Sequence, residues 1–240
     1  MTVSKRWLAN YNKRIQEENQ WFKGLTKSQK RVQIALDVLT QLRTKRIVAQ
    51  AGMYFEGTLS KDELQVSENT DMQEVLRNTE TCTACAVGSL FVCAVERFDK
   101  FKATDVFDYD EVDKEFEIDI DQFDSYLEKF FTPKQLGMME AAFEGFFHNW
   151  DASLIPLKER EAAISFFKGT DLEPQDLTVW SSIREIEDRE LAPERLRLIM
   201  ENLVINNGTF DPFKKPVKSH GRWSTPGIKV AKEEFAAACY

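Results

Sequence analysis

Uncharged residues fill most of the stretch Thr81–Phe98, TCTACAVGSLFVCAVERF. The stretch shows no strict alternation and contains no proline. Its uncharged part, Cys82–Val95, has fourteen residues, which is longer than a typical strand and too short to span a bilayer. A helix that is apolar on every side lies in the middle of a globular core. Thr79 or Thr81 could cap its start, and Gly88 would let a neighbouring backbone approach closely. The pattern therefore predicts a central buried helix near 81–98.

Elsewhere the apolar residues recur at three- and four-residue steps, which is the period of an amphipathic helix. Thr26 followed by Gln29 has the form of a capping box, and Thr132-Pro133 has the form of a cap followed by proline at the first helical position. Helices are predicted over Val3–Phe22, Val32–Leu42, Met72–Leu76, Leu136–Phe147, Leu157–Lys168, Leu177–Arg189 and Lys229–Cys239, with another that starts at Pro193 and stops at Asn206-Asn207-Gly208.

The scarcity of turn residues sets the fold class. The chain of 240 residues has only 10 Gly and 7 Pro, which argues against an all-β fold. Only Ile47–Phe55 is β-like or extended. We therefore predict a mostly α protein with a minor β element, whose helices pack around the central apolar helix. Without an internal repeat or a clear linker, residues 1–240 are expected to form one globular domain.

Composition narrows the class of protein further. Hydrophobic residues make up 42% and charged residues 30% of the chain, as in ordinary globular proteins. The N-terminus lacks the apolar core of a signal peptide, and no run of about 18 apolar residues occurs. Four cysteines without a secretory signal are typical of a reducing cytoplasm. We expect a cytoplasmic protein that needs no membrane, metal or cofactor.

Acidic residues dominate one segment, 105–128, where they alternate with aromatic and aliphatic residues. That mixture indicates an acidic face on structured elements rather than a solvated tail. The start Asp108-Tyr109-Asp110 suits a calcium loop, but Val112 and Asp113 occupy the fifth and sixth positions and break the pattern. A regular row of carboxylates could compete for a basic groove on a protein partner. The candidate binding residues are Asp108, Asp110, Glu111, Asp113, Glu117 and Asp121.

Basic residues gather near the C-terminus, in a predicted surface loop at 209–229 that includes His220 and Trp223. These residue types suit phosphate contacts and stacking on a base. The chain as a whole carries a net charge of −8, so nucleic acid is not the expected partner, although a local basic patch could still bind it. The acidic segment and the basic loop could also meet across a homodimer contact.

The thiols offer an enzymatic alternative. Cys82 and Cys85 could form a redox or metal pair at a helix start, but the remaining Cys and His lack the spacing of zinc ligands. As a nucleophile, Cys85 would need His220 or His148 as its base, because these are the two histidines of the chain. The alternative function is therefore a cysteine-dependent hydrolase. The competing interpretation is that the cysteines are small buried residues that only pack in the core.

The segment Cys82-x-x-Cys85-Ala86-x-Gly88-Ser89-Leu90-Phe91 resembles a signature of uncharacterised bacteriophage and bacterial proteins. Similar pieces of that group correspond to Gly52-x-Tyr54, Met139–Glu144 and Ile199–Phe210. The resemblance implies a phage origin and carries no established activity. On this basis we expect a non-enzymatic, phage-encoded factor that binds or inhibits a host protein by applying its acidic surface to a basic surface of that protein.

Overall fold

A computed structural model describes residues 4–59, 71–97, 107–110, 115–118, 125–147, 152–174 and 182–239. Its helices are α1 (Lys5–Gly24), α2 (Lys27–Arg43), α3 (Met72–Arg77), α4 (Ala86–Arg97), α5 (Pro133–Glu144), α6 (Leu157–Ile164), α7 (Ser182–Ile205) and α8 (Ile228–Cys239), with a 3-10 turn at Ala152–Leu154. Its strands are β1 (Ile47–Ala49), β2 (Phe55–Leu59), β3 (Thr79–Ala84), β4 (Phe107–Asp110), β5 (Glu115–Ile118), β6 (Val217–Ser219) and β7 (Arg222–Ser224).

The fold is mostly α with a minor β component, which confirms the predicted class. Strands β1 to β5 form one sheet in the order β1-β3-β2-β5-β4. β1 runs parallel to β3, and the other neighbours in this sheet are antiparallel. β6 and β7 form a separate hairpin. That all 240 residues form one domain stays a prediction.

The predicted central helix is buried, as expected, but it begins later in the chain than predicted. All residues of α4, from Ala86 to Arg97, are buried, as expected for a helix in the middle of a core. However, the helix does not begin near residue 81, because Thr79–Ala84 forms β3. β-Branched threonines occupy every second position there, at 79, 81 and 83, and β-branched residues suit a strand. Cys82 therefore lies in a strand, and the predicted threonine caps of this helix are wrong.

Local signals placed most helix ends correctly. Thr26 and Gln29 form the capping box, and Thr132 caps α5 with Pro133 at its first position. Asn207 and Gly208 take positive φ angles of 52° and 78° just after α7. The predicted start at Pro193 is wrong, because this proline lies inside α7. A proline removes one hydrogen bond from the helix, and here the helix continues through that loss.

A buried polar network links α1, α2, α4 and the start of β1. Arg46, which is fully buried, donates from Nη1 to Glu96 Oε1 and, over 2.6 Å, to Gln41 Oε1. Its Nη2 donates to the Leu76 carbonyl, and Tyr11 Oη donates to Glu96 Oε2 over 3.2 Å. Burial lowers the pKa of Arg46, but the Glu96 carboxylate, with smaller contributions from Cys82 and Tyr11, leaves that pKa above its ordinary value. The Arg46 charge is thus held inside the core mainly by its pairing with Glu96.

A second buried pair adjoins this network at the end of α4. Arg97 donates from Nε to Asp37 Oδ2 and, over 2.8 Å, from Nη2 to Asp37 Oδ1. Its Nη1 also donates to Glu18 Oε2 over 3.0 Å. Two parallel bonds between guanidinium and carboxylate fix the orientation of both groups. Helices α1 and α2 are therefore tied to the charged end of α4 rather than only packed against it.

Candidate protein-binding face

The five-stranded sheet has one buried side and one accessible side. On the buried side lie the core residues Ile47, Ala49, Phe55, Cys82 and Ala84. At alternate positions the exposure rises: Val48 is 43% exposed, Thr58 is exposed, and Glu56 and Thr83 are half-buried. Successive residues of a strand belong to opposite faces of a sheet. The second set therefore defines the outer, more exposed face of β1, β2 and β3.

The strand register gathers acidic residues on this outer face. Glu56 of β2 pairs with Glu117 of β5, and Glu117 pairs with Asp108 of β4. Two residues further along the strands, Thr58 pairs with Glu115, and Glu115 pairs with Asp110. Strand axes are about 4.8 Å apart, so these positions form two short acidic rows across neighbouring strands. We call the set the acidic sheet face: Glu56, Asp108, Asp110, Glu115 and Glu117.

The register also pairs the apolar positions of the same strands. Tyr109 pairs with Phe116, Phe116 pairs with the buried Gly57, and Phe107 pairs with Ile118. Strict alternation of apolar and acidic residues in FDYD and EFEI is the sequence pattern of strands with one buried face.

The predicted binding residues divide into two groups. Asp108, Asp110 and Glu117 lie in β4 and β5, and the register brings them into one patch. Glu111, Asp113 and Asp121 lie outside the described residues. Glu56 was missed by sequence reasoning, because it is far away in the chain and reaches the patch only through the β2–β5 pairing. Its signal was the alternation of FEGTL, with Phe55 and Gly57 buried on either side.

Within the described ranges, no helix is both long and apolar enough to cross a membrane. Across the same part of the chain, no three or more His, Cys, Asp or Glu side chains are grouped so that they could hold a metal ion.

The thiol of the alternative hypothesis, Cys85, lies between β3 and α4 and is 2% exposed. Its Sγ accepts a 3.5 Å hydrogen bond from the Gly88 amide, the role that Ser or Thr usually plays at a helix start. Burial raises the pKa of Cys85, and the carboxylates of Glu144 and Glu140 raise it further. A nucleophilic cysteine needs the opposite, namely solvent access and a lowered pKa. The geometry gives Cys85 the role of a helix cap.

Only one of the two candidate bases lies among the described residues, and it is exposed whereas the thiol is buried. His220 lies exposed at the tip of the β6–β7 hairpin, where its Nδ1 is 2.9 Å from Ser219 Oγ. His148 lies outside the described residues.

Beside Cys85 lies a polar cluster that sequence reasoning missed. The Gly52 amide donates to both carboxylate oxygens of Glu144, over 3.1 and 2.9 Å, and Tyr54 Oη donates to Glu140 Oε1. Both glutamates are almost fully buried and stand one helical turn apart on α5. They anchor the 50–54 segment to α5. In the sequence, the only indication that Glu140 and Glu144 are buried was their separation by one helical turn in an otherwise apolar helix.

We expect the described thiols to be inert in the folded protein. With iodoacetamide at about pH 8, Cys82, Cys85 and Cys93 should stay unmodified while the chain is native, because thiolate is the reactive form. Burial raises the pKa of Cys82 to about 12 and also raises those of the other two. Peptide mass mapping checks this, and labelling in guanidinium serves as the control. Rapid native labelling of Cys85 would revive the hydrolase hypothesis.

Comparisons with protein-family models, with curated proteins and with solved structures found no match to this chain.

Proposed function

We propose that this protein binds another protein by applying its acidic sheet face to a basic surface of that partner. The observation that carries the proposal is the strand register, which pairs Glu56 with Glu117 and Glu117 with Asp108 across three neighbouring strands. A partner that supplies lysine or arginine side chains would be electrostatically complementary to these acidic positions.

The chemistry of the face defines what it would recognise. Alternate positions along a strand are about 6.8 Å apart, and neighbouring strands are about 4.8 Å apart, so the face presents a compact grid of negative charge. A protein groove that normally receives nucleic-acid phosphates is complementary to such a grid. Electrostatic complementarity of this kind speeds encounter and selects partners. If the chain is phage-encoded, as the resemblance implies, a host protein that binds nucleic acid is the natural target.

The first experiment is a paired charge reversal. Asp108→Lys with Glu117→Lys removes the centre of the face, and Glu233→Lys with Glu234→Lys makes the same charge change on exposed positions of α8. Each tagged variant is incubated with host lysate, and captured proteins are identified by mass spectrometry. We expect wild type and the α8 variant to capture a common basic protein, and the sheet variant to lose it by at least tenfold.

Salt supplies a second readout on the same samples. Capture should weaken steeply between about 0.15 and 0.5 M salt, because the screening length shrinks over that range. Circular dichroism must show the same helix content for all three proteins. Equal capture by the sheet variant and the wild type would exclude the acidic sheet face as the binding surface.

A further inference from the structure

A second surface of the chain has the opposite charge. Residues 213–232 contain six cations and no Asp or Glu, although the whole chain carries −8. All six side chains are exposed: Lys214, Lys215, Lys218, Arg222, Lys229 and Lys232. The segment comprises the β6–β7 hairpin, the loop before it and the first turns of α8. Charge is therefore segregated on this molecule.

Hydrogen bonds fix the two strands of the hairpin to Asp171 and to α7. Trp223 Nε1 donates to Asp171 Oδ1 over 2.6 Å, and Lys218 Nζ donates to Asp171 Oδ2 over 2.6 Å. Arg197 of α7 donates from Nη2 to the Trp223 carbonyl over 2.7 Å. The half-buried Trp223 thus serves as an anchor of the hairpin. A ribbon fixed in this way presents Arg222 without first having to be ordered, while Lys218 is paired with Asp171.

The projecting end of the hairpin is polar on all sides. His220 and Gly221 form the two-residue turn, with φ angles of 51° and 76°, and both are exposed. Lys218, Ser219 and Arg222 flank the turn and are exposed as well. Val217 in β6 is 48% exposed, and Phe213 and Val230 on either side of the hairpin are 52% and 55% exposed. Lys, Arg and Ser are among the side chains that contact phosphate oxygens.

We infer that the β6–β7 hairpin is a nucleic-acid-binding ribbon that contacts the phosphate backbone of a duplex. Two strands about 4.8 Å apart, with their side chains, fit the major groove, which is about 12 Å wide and admits a two-stranded ribbon. Protein–protein interfaces have apolar centres depleted of charge, whereas nucleic-acid interfaces are polar and strongly positive. The exposed composition of the hairpin matches the second type. The acidic sheet face would be repelled by the duplex, which limits the orientations of the complex.

The inference is tested with a fluorescein-labelled DNA duplex of about 20 base pairs, long enough to offer two turns of major groove. Binding is followed by fluorescence anisotropy from about 50 to 200 mM salt. The hairpin variant, Arg222→Gln with Lys229→Gln, removes one exposed cation of β7 and one from the first turn of α8 in the same basic segment, and no hydrogen bond or ion pair among the described residues uses either. We expect this double variant to bind at least tenfold more weakly at the lowest salt. Its logarithmic salt slope should fall by about 2, since each phosphate that the protein neutralises contributes about 0.9 to that slope.

The matched control is Lys5→Gln with Arg6→Gln, which removes two exposed cations from the start of α1. This variant should keep the wild-type affinity and salt slope. Three results would overturn the inference: no duplex binding by the wild type at about 50 mM salt, equal weakening in both double variants, or self-association without DNA that only the hairpin variant abolishes. The last result would indicate that the hairpin binds the acidic sheet face of a second copy of the chain.

Discussion

Replacing Glu96 with alanine is expected to lower the free energy of unfolding by about 3–5 kcal/mol, the usual cost of leaving a buried charge without its partner. Glu96 is the carboxylate that pairs with Arg46, and both side chains are almost completely buried. Its loss also removes the acceptor of Tyr11 Oη and of Gln41 Nε2, the latter at 2.7 Å. Urea denaturation followed by circular dichroism measures the change.

Two further variants separate the buried charge from ordinary surface effects. Glu17→Ala breaks an ion pair with Lys13 that is more than half exposed on both sides, and it should cost less than about 1 kcal/mol. Arg46→Met combined with Glu96→Leu replaces the buried charges with apolar volume and should recover part of the loss. If Glu96→Ala costs no more than Glu17→Ala, the ion pair does not hold the core together.

The substitution Gly88→Ala is expected to destabilise the protein by about 3 kcal/mol or more, or to prevent folding. A Cβ built at this position would lie 1.6 Å from the Tyr54 carbonyl oxygen, and that neighbour is backbone rather than a flexible side chain. Overpacking a core usually costs about 1–3 kcal/mol, and here the segment 50–54 would also have to move away from α4. Thermal unfolding and soluble yield measure the effect.

Gly24→Ala is the matched control for that experiment. Gly24 is the last residue of α1, and nothing lies within 4 Å of a Cβ placed there. Alanine should be neutral or slightly stabilising at this position, because it restricts the unfolded chain. Equal stability of the two alanine variants would contradict the close approach of α4 and the 50–54 segment.

Features set by neighbouring residues were predictable from the sequence. The Thr26 capping box and the left-handed Asn207-Gly208 stop depend only on a few adjacent residues, and both occur as predicted. The burial of α4 as far as Val95 followed from the absence of charge in that part of its sequence. The predicted helix start at Pro193 was wrong because a proline occurs both at the start of a helix and at an interior break, and local sequence does not distinguish the two.

Features set by distant residues were not predictable. Thr79–Ala84 becomes a strand through its pairing with β1 and β2, more than twenty residues earlier in the chain. The acidic character of 105–128 was evident, but its concentration into rows with Glu56 depends on the β2–β5 register. Equally, Arg46, Glu96 and Arg97 are charged residues near segment ends, and only tertiary packing shows that Arg46 pairs with Glu96 and Arg97 with Asp37 inside the core.

The affinity of the captured partner for three forms of the protein tests the central claim most directly. Isothermal titration should give equal Kd values for the wild type and the Glu233→Lys, Glu234→Lys variant, and a Kd at least tenfold higher for Asp108→Lys, Glu117→Lys. Equal weakening in both variants would mean that only net charge matters. An unchanged Kd in the sheet variant would show that the partner binds elsewhere.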